Sequence, residues 1–160
     1  MGLWMKKFLI ASVLFLNISS LFAIGYQPVL SLSMAKKMAE SCEKLAAKEG
    51  WKINIAIVDN GANLKFFIRQ DDSFLKSIEL AKQKATTSAG LPFSTKAIAE
   101  IASKLPGVAL IPGVSILEGG LPIVTAKGQL IGAIGVSGAT GEQDGACAQA
   151  SLDAIQSDLK

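Results

Sequence analysis

The chain has 160 residues, of which half are hydrophobic and 18% are charged, and its formal net charge at neutral pH is +3. It contains no histidine, which excludes Ser–His and Cys–His nucleophile pairs and histidine-containing zinc sites. Its two cysteines are too few for a cysteine-based structural zinc site. We therefore expect no metal site of a familiar kind.

The first 23 residues have the order of charge and hydropathy that is typical of a secretory signal peptide. Lys6 and Lys7 precede an apolar run over Phe8–Leu16, and small residues lead to Ala23. We expect cleavage near Ala23, a periplasmic or secreted protein, and one domain over residues 24–160. Cleavage removes two of the 16 basic residues and none of the 13 acidic ones, so the net charge falls from +3 to +1. Such a chain gives no indication of nucleic-acid binding.

Apolar periodicity predicts a helix and then a β-hairpin in the first half of the domain. Ser31 or Ser33 can cap the helix, and Gly50 ends it. Trp51–Val58 alternates apolar and polar residues as a half-buried strand does. The turn sequence DNG then leads to a return strand over Leu64–Arg69.

Two further helices and an edge strand are predicted in the middle of the chain. Ser73 is expected to cap a helix over Phe74–Ser88, and Ser94 or Thr95 starts a shorter one. Val108–Leu117 is apolar but contains a Pro-Gly pair, which is typical of an edge strand with a bend. The apolar face of the longer helix is expected to point inward through Leu75, Ile78, Ala81 and Ala85.

A glycine-rich hairpin follows, with strands over Leu121–Ala126 and Gln129–Ser137. Glycine recurs at every third position through the second strand, at Gly132, Gly135 and Gly138. Because glycine weakens a strand, its repetition indicates that a ligand or another backbone approaches closely. Tight packing of a helix on the sheet is the alternative interpretation.

The polar residues in and around this hairpin are the candidate site. Thr140–Gln143 has the capping-box pattern that starts the last helix, expected over Glu142–Leu159, and a helix N-terminus preceded by glycines can hold an anionic group. The candidate ligand-binding residues are Arg69, Lys84, Thr86, Gly119, Gly120, Gln143 and Asp144. Arg69 and Lys84 could equally be solvated surface charges.

Cys42 and Cys147 each fall on the apolar side of a predicted helix. If the two helices pack side by side, a disulfide can form between them in an oxidising compartment. Two buried free thiols are the alternative.

Three segments also resemble a known family: IAIVDNGANLKFFIRQDD, SIELAKQKATTSAGLPFST and IPGVSILEGGLPIVTAKGQLIGAIGVSGATGEQD. Together they are similar to the small extracellular haem-binding, or haem-degrading, proteins. That family also takes in the glycolate-utilisation accessory protein and the C-terminal domain of a propanediol-utilisation adenosyltransferase. The resemblance runs from about Leu32 to the C-terminus.

The resemblance implies a profilin-like α/β (α+β) fold in three α/β/α layers, with a five-stranded, mainly antiparallel sheet, which agrees with the number of strands predicted above. It also implies homo-oligomers, often octamers, and haem binding in some members. One departure is the stretch after the second strand, where members often have R-x-D-G-A and this chain has Arg69-Gln-Asp-Asp-Ser73.

The absence of histidine is the second departure, because haem iron cannot be bound here through that residue. An axial ligand would have to be Tyr26, a methionine, a cysteine or a lysine. Otherwise the haem would be held by apolar contact and by pairing of its propionates. Met34 and Met38 lie on the first predicted helix, where they can be core residues.

The leading hypothesis is an exported oligomeric binding protein for haem or a similar small organic ligand. Arg69 and Lys84 would neutralise the acidic groups of the ligand, and Gly119-Gly120 and the helix start at Gln143-Asp144 would shape the pocket. One alternative is a tautomerase-like or lyase-like enzyme for a small acid, with Lys84 or Asp144 as the acid or base. Another is a non-catalytic accessory partner of a membrane sensor protein.

Overall fold

The computed structural model describes residues 27–160; the predicted signal peptide and Tyr26 lie outside them. The helices are α1 (Leu32–Glu49), α2 (Ser77–Gly90), α3 (Thr95–Lys104) and α4 (Gly141–Ile155), with short 3-10 turns over Pro106–Leu110 and Gln156–Asp158. The strands are β1 (Asn54–Asp59), β2 (Leu64–Arg69), β3 (Gly120–Val124) and β4 (Leu130–Ser137). Within this part of the chain, none of the helices is long and apolar enough to cross a membrane.

The four strands form one sheet in the order β2-β1-β4-β3, and every neighbouring pair is antiparallel. Helices α1 and α4 pack together on one face, over the isoleucines of β1 and β4. Helix α2 covers the other face. The predicted mixed α/β class with an antiparallel sheet is confirmed.

The predicted fifth strand is wrong, because Val108–Leu117 forms no strand. Its first residues belong to the 3-10 turn, and Gly113 has a φ of +82°, which an extended strand does not allow. The Ser115 amide donates a hydrogen bond to Thr87 Oγ1 at 2.9 Å, and Thr87 Oγ1 donates to the Gly113 carbonyl at 3.3 Å. A side chain of α2 therefore satisfies backbone groups that a strand neighbour would otherwise bind.

The predicted cap of α2 is also wrong, since the helix begins at Ser77 and Ser73 has another role. Ser73 Oγ donates to Asn54 Oδ1 at 3.2 Å and to the Gln70 carbonyl at 2.8 Å, and Asn54 Nδ2 donates to Ser77 Oγ at 2.6 Å. These three side chains, which we call the Asn54 network, are buried. They fix the turn over residues 73–76 so that Leu75, predicted to point inward, is 75% exposed.

The local start and stop signals of the other helices act as predicted. Ser31 and Ser94 accept hydrogen bonds from the amides three residues later, and Gly50 ends α1 with a φ of 74°. Thr140 and Gln143 form the predicted capping box at the start of α4. These signals depend only on neighbours within one helical turn.

The repeated glycines of the second hairpin allow close packing. A Cβ placed on Gly135 would lie 2.5 Å from the Ala85 amide nitrogen and in collision with the Ala81 carbonyl oxygen, both in α2. Gly132 and Gly138 are in similar contact with the backbone of Val58 and Lys52. Of the two interpretations of this pattern, the structure supports the alternative, tight packing within the chain: Gly135 lies against helix α2, and no space for a ligand is left at these glycines.

We expect Gly135→Ala to lower the free energy of unfolding by about 1–3 kcal/mol, because the added methyl group forces α2 away from β4. The control is Gly90→Ala at the exposed end of α2, where a Cβ meets nothing within 4 Å. Because alanine favours a helix, the control should be neutral or gain up to about 1 kcal/mol. Urea denaturation with the disulfide intact measures both, and equal midpoints for the two variants would contradict the packing assignment.

Cys42 in α1 and Cys147 in α4 are joined by a disulfide whose two residues are fully buried. The link spans 105 residues of sequence and ties together the two helices on one face of the sheet. Of the two alternatives left open by the sequence, the structure contains the disulfide.

Candidate functional site

A buried ion pair between Lys84 and Asp144 is the centre of the candidate site. Lys84 Nζ donates to Asp144 Oδ2 and to the carbonyl oxygen of Val136, each at 2.8 Å. The two side chains are 2% and 3% exposed. Asp144 Oδ1 also accepts a hydrogen bond from the Ala139 amide at 3.1 Å. Both charges are therefore paired and hydrogen-bonded, as charges removed from water have to be.

The pair joins helices that lie on opposite faces of the sheet. Lys84 comes from α2 and Asp144 from the first turn of α4, and the Val136 carbonyl that accepts from Lys84 comes from the end of β4. They meet beside Gly119, where a Cβ would lie 2.9 Å from Lys84 Nζ and 2.8 Å from Asp144 Cβ. Gly119 also has a φ of +125°, so both space and backbone conformation require glycine there.

Burial has opposite effects on the two ionisable groups. It lowers the pKa of the Lys84 ammonium, and the hydrogen bond and charge of Asp144 only partly counter that effect. It raises the pKa of the Asp144 carboxyl, against the lowering effect of Lys84 and of the Ala139 amide. Desolvation is the largest contribution for each group, so the pair is not a strong source of stability relative to an apolar contact.

A cleft of about 150 Å³ lies next to the pair, between the start of α3 and α4. Lys96 Nζ donates to Glu118 Oε1 at 3.1 Å at this cleft. The Glu118 side chain also lies against Gly145, where a Cβ would come within 2.9 Å of its carboxylate. The complete lining is Ser94, Lys96, Glu118, Gly119, Gly120, Leu121, Gly145 and Gln149.

Four of the seven predicted ligand-binding residues lie together, and three do not. Lys84, Asp144 and Gly119 are in contact, and Gly120 lies beside them against Ser88 and Thr95. Arg69 is exposed in β2, at the far edge of the sheet. The Thr86 hydroxyl donates to the Gln83 carbonyl within α2, and Gln143 belongs to the capping box of α4.

The predicted ligand-binding residues did not include Glu118 or Lys96, which both line this cleft. Glu118 directly precedes the Gly119-Gly120 pair, which was a usable signal. Lys96 carried no local signal, because its position at the cleft depends on how α3 packs beside β3.

Among residues 27–160, two of the other hollows lie away from the ion pair. One, which we call the α2 groove, is formed by Leu75, Lys76, Ile78 and Glu79 and has a volume of about 480 Å³. The other has a volume of about 320 Å³ and polar walls, formed by Pro28, Thr125, Lys127, Gln129 and Lys160.

The chain matches the family model described as haem degrading protein HbpS-like over residues 30–153. The chain belongs to this HbpS-like family. It is 35% identical over 131 residues to an uncharacterized 15.0 kDa protein of Citrobacter freundii encoded in the dhaT-dhaS intergenic region, covering 78% of this chain and 90% of that protein. The family resemblance predicted from the sequence motifs is thereby confirmed.

Solved structures of related proteins have the same fold. Protein ORFY of Klebsiella pneumoniae superposes with a TM-score of 0.79 at 33% identity, covering 88% of this chain and all of that one. A complex of PduOC with haem has a TM-score of 0.74 at 26% identity, covering 80% of this chain and 96% of that one. The chain thus spans nearly the whole length of these relatives.

Proposed function

We propose that this HbpS-like protein is an exported haem-binding protein that holds haem by apolar contact and propionate pairing. The family match over residues 30–153, together with a related structure solved with haem, carries the proposal. The disulfide supports the export component, since such bonds persist in oxidising compartments outside the cytosol.

The side chains available to the iron determine how haem would be held. Histidine is absent, and both cysteines are joined in the disulfide. Met38 is buried in the core, Met34 is half-buried against it, and Lys84 is committed to its ion pair. Among the described residues, neither these groups nor the cysteines present a fully exposed ligand atom to the iron, so we assign the binding to the porphyrin and its propionates.

The cleft beside the ion pair is too small for this ligand. Its volume of about 150 Å³ compares with roughly 300–1,000 Å³ for pockets that hold drug-sized molecules. A porphyrin therefore needs an open groove or a surface completed by another chain.

Exposed apolar residues in the second half of α3 and in the segment before β3 support assembly into homo-oligomers, of which an octamer is the state implied by the family resemblance. Large exposed apolar patches commonly mark interaction sites. The side chains concerned are Ile101, Leu105, Leu110, Ile111, Ile116 and Leu117. A membrane sensor as partner stays a prediction.

The geometry gives less support to a small-acid enzyme. Lys84 and Asp144 bond each other and are almost completely removed from solvent, so neither presents a free polar atom to a substrate. A general acid or base must come within hydrogen-bond reach of the proton that it transfers. We assign the pair a structural role.

Titration of the processed protein with haemin tests the proposed function. The protein should carry no histidine tag, because tag histidines bind haem iron. We expect a saturable shift of the Soret absorbance. Iron-free protoporphyrin IX should bind within about threefold of the haemin affinity, a difference below ~1 kcal/mol, because iron ligation contributes little. A linear, unsaturable titration would refute haem binding, and a large preference for haemin would refute the mode of binding.

A further inference from the structure

We propose that the cleft at Lys96 and Glu118 binds a small zwitterion, a molecule of the size of a short amino acid that carries one carboxylate and one ammonium group. The carboxylate of the ligand pairs with Lys96 at the start of α3, and its ammonium group pairs with Glu118 and with the side-chain oxygen of Gln149. This site is separate from haem binding and does not depend on the proposed function.

The cleft has walls from three different parts of the fold, and its size limits the ligand. Ser94 and Lys96 come from the start of α3, Glu118–Leu121 from the segment that enters β3, and Gly145 and Gln149 from α4. The volume of about 150 Å³ corresponds to about five water molecules at roughly 30 Å³ each. A ligand of about five or six non-hydrogen atoms therefore fits, which is the size of free glycine or alanine.

Unused hydrogen-bond donors lie at the start of α3. Lys96 Nζ gives one of its three N–H groups to Glu118 Oε1 at 3.1 Å, and no other acceptor among residues 27–160 takes the remaining two. Ser94 Oγ accepts the Ala97 amide at 3.1 Å, which leaves the hydroxyl proton for a ligand acceptor. The positive end of the α3 dipole lies on the same side. These groups together favour a carboxylate.

Unused acceptors lie at Glu118 and in α4. Within the described part of the chain, Glu118 Oε2 accepts no hydrogen bond, because the bond from Lys96 goes to Oε1. Gln149 donates through Nε2 to Asp153 Oδ1 at 2.8 Å, which leaves its amide oxygen as an acceptor. An ammonium group at these oxygens makes charge-assisted hydrogen bonds. Because the cleft offers one positive and one negative side chain, a zwitterion complements it better than an ion of single charge.

Glycines fix the position of Glu118 and make room for its carboxylate. A Cβ on Gly145 would lie 2.9 Å from Glu118 Oε1, so α4 has glycine where this side chain passes, although alanine is more favourable inside a helix. Glu118 directly precedes Gly119, which lies against the buried pair of Lys84 and Asp144. A backbone held in this way loses little conformational entropy when a ligand binds, which favours recognition.

Isothermal titration calorimetry of the processed protein with glycine and L-alanine tests the proposal. We expect at least one of the two to bind with a dissociation constant of about 1 mM or lower. Acetate and methylammonium, which each carry only one of the two charges, should bind at least tenfold more weakly. Absence of saturable binding by both amino acids, or acetate binding as tightly as the better amino acid, would overturn the assignment. Haemin titration of the same protein reports on the proposed function independently.

Matched variants locate the site. Lys96→Gln and Glu118→Gln keep the size of each side chain and remove one charge, so each should weaken amino-acid binding about tenfold or more. The controls are Glu100→Gln and Lys104→Gln, which remove exposed charges elsewhere on α3 and should bind like the native chain. Urea denaturation checks that all four variants fold. Native affinity in both cleft variants, or an equal loss in the controls, would refute the site.

Discussion

Lys84→Met is expected to lower the free energy of unfolding by about 3–5 kcal/mol at pH 7. Methionine matches the length of lysine but leaves the Asp144 carboxylate buried without its cation. The control is Lys37→Met, which removes the exposed ion pair with Asp158 and should cost less than about 1 kcal/mol. Urea denaturation at fixed pH measures both variants. A loss of similar size in the two would show that burial of the Lys84–Asp144 pair has no energetic consequence.

The loss caused by Lys84→Met should shrink as the pH falls. Burial already raises the pKa of Asp144, and removing Lys84 removes the main group that opposes this shift. Because the folded-state pKa of Asp144 then lies further above the unfolded value than in the native chain, the folded variant takes up a proton at higher pH and gains stability in acid relative to the native chain. Lys84→Met/Asp144→Asn removes the charge at every pH and should recover most of the loss at pH 7.

Removal of the Cys42–Cys147 disulfide is expected to have the second large effect. In the chain-entropy model, a closed loop of about 100 residues stabilises a protein by about 4.7 kcal/mol, and this link spans 105 residues. We expect Cys42→Ala/Cys147→Ala to lose about 4–5 kcal/mol in urea denaturation. The native chain denatured in the presence of a reducing agent should unfold at nearly the same urea concentration as the variant.

Burial of the two sulfur atoms gives a second expectation for the same bond. Since both cysteines are inaccessible, thiol reductants should reach the disulfide only when the chain opens. Trapping with a thiol-alkylating reagent should therefore show an intact bond under native conditions and free thiols in urea. For the stability prediction above, equal urea midpoints of the oxidised and reduced native chains would contradict the chain-entropy account.

Sequence patterns predicted those parts of the fold that depend on near neighbours. The caps at Ser31, Ser94 and Thr140 each require a bond to an amide three residues away. The turn after β1 is closed by Asp59, whose carboxylate accepts the amides of Gly61 and Asn63. The predicted strand at Val108–Leu117 failed because its apolar composition resembles a strand, while Thr87, distant in sequence, satisfies its backbone.

The candidate site could be predicted only in part for the same reason. Lys84 and Asp144 were selected individually, but their bond could not be predicted because they are 60 positions apart in the sequence. Leu75 was predicted to be buried because its helical spacing fits the apolar face of α2. The Asn54 network fixes the turn that contains Leu75 outside the helix. Because this network includes a residue of β1, helical spacing alone could not predict it.

By itself, the amino-acid sequence determined the family, the mixed α/β class, most helix ends and the absence of a histidine ligand for haem. Only the tertiary structure decided that the repeated glycines serve close packing, that Cys42 and Cys147 form a disulfide, and that Lys84 and Asp144 neutralise each other across the sheet. The physical reason is range: caps and turns are completed within about one turn of chain, whereas burial and ion pairing depend on which elements the fold places side by side.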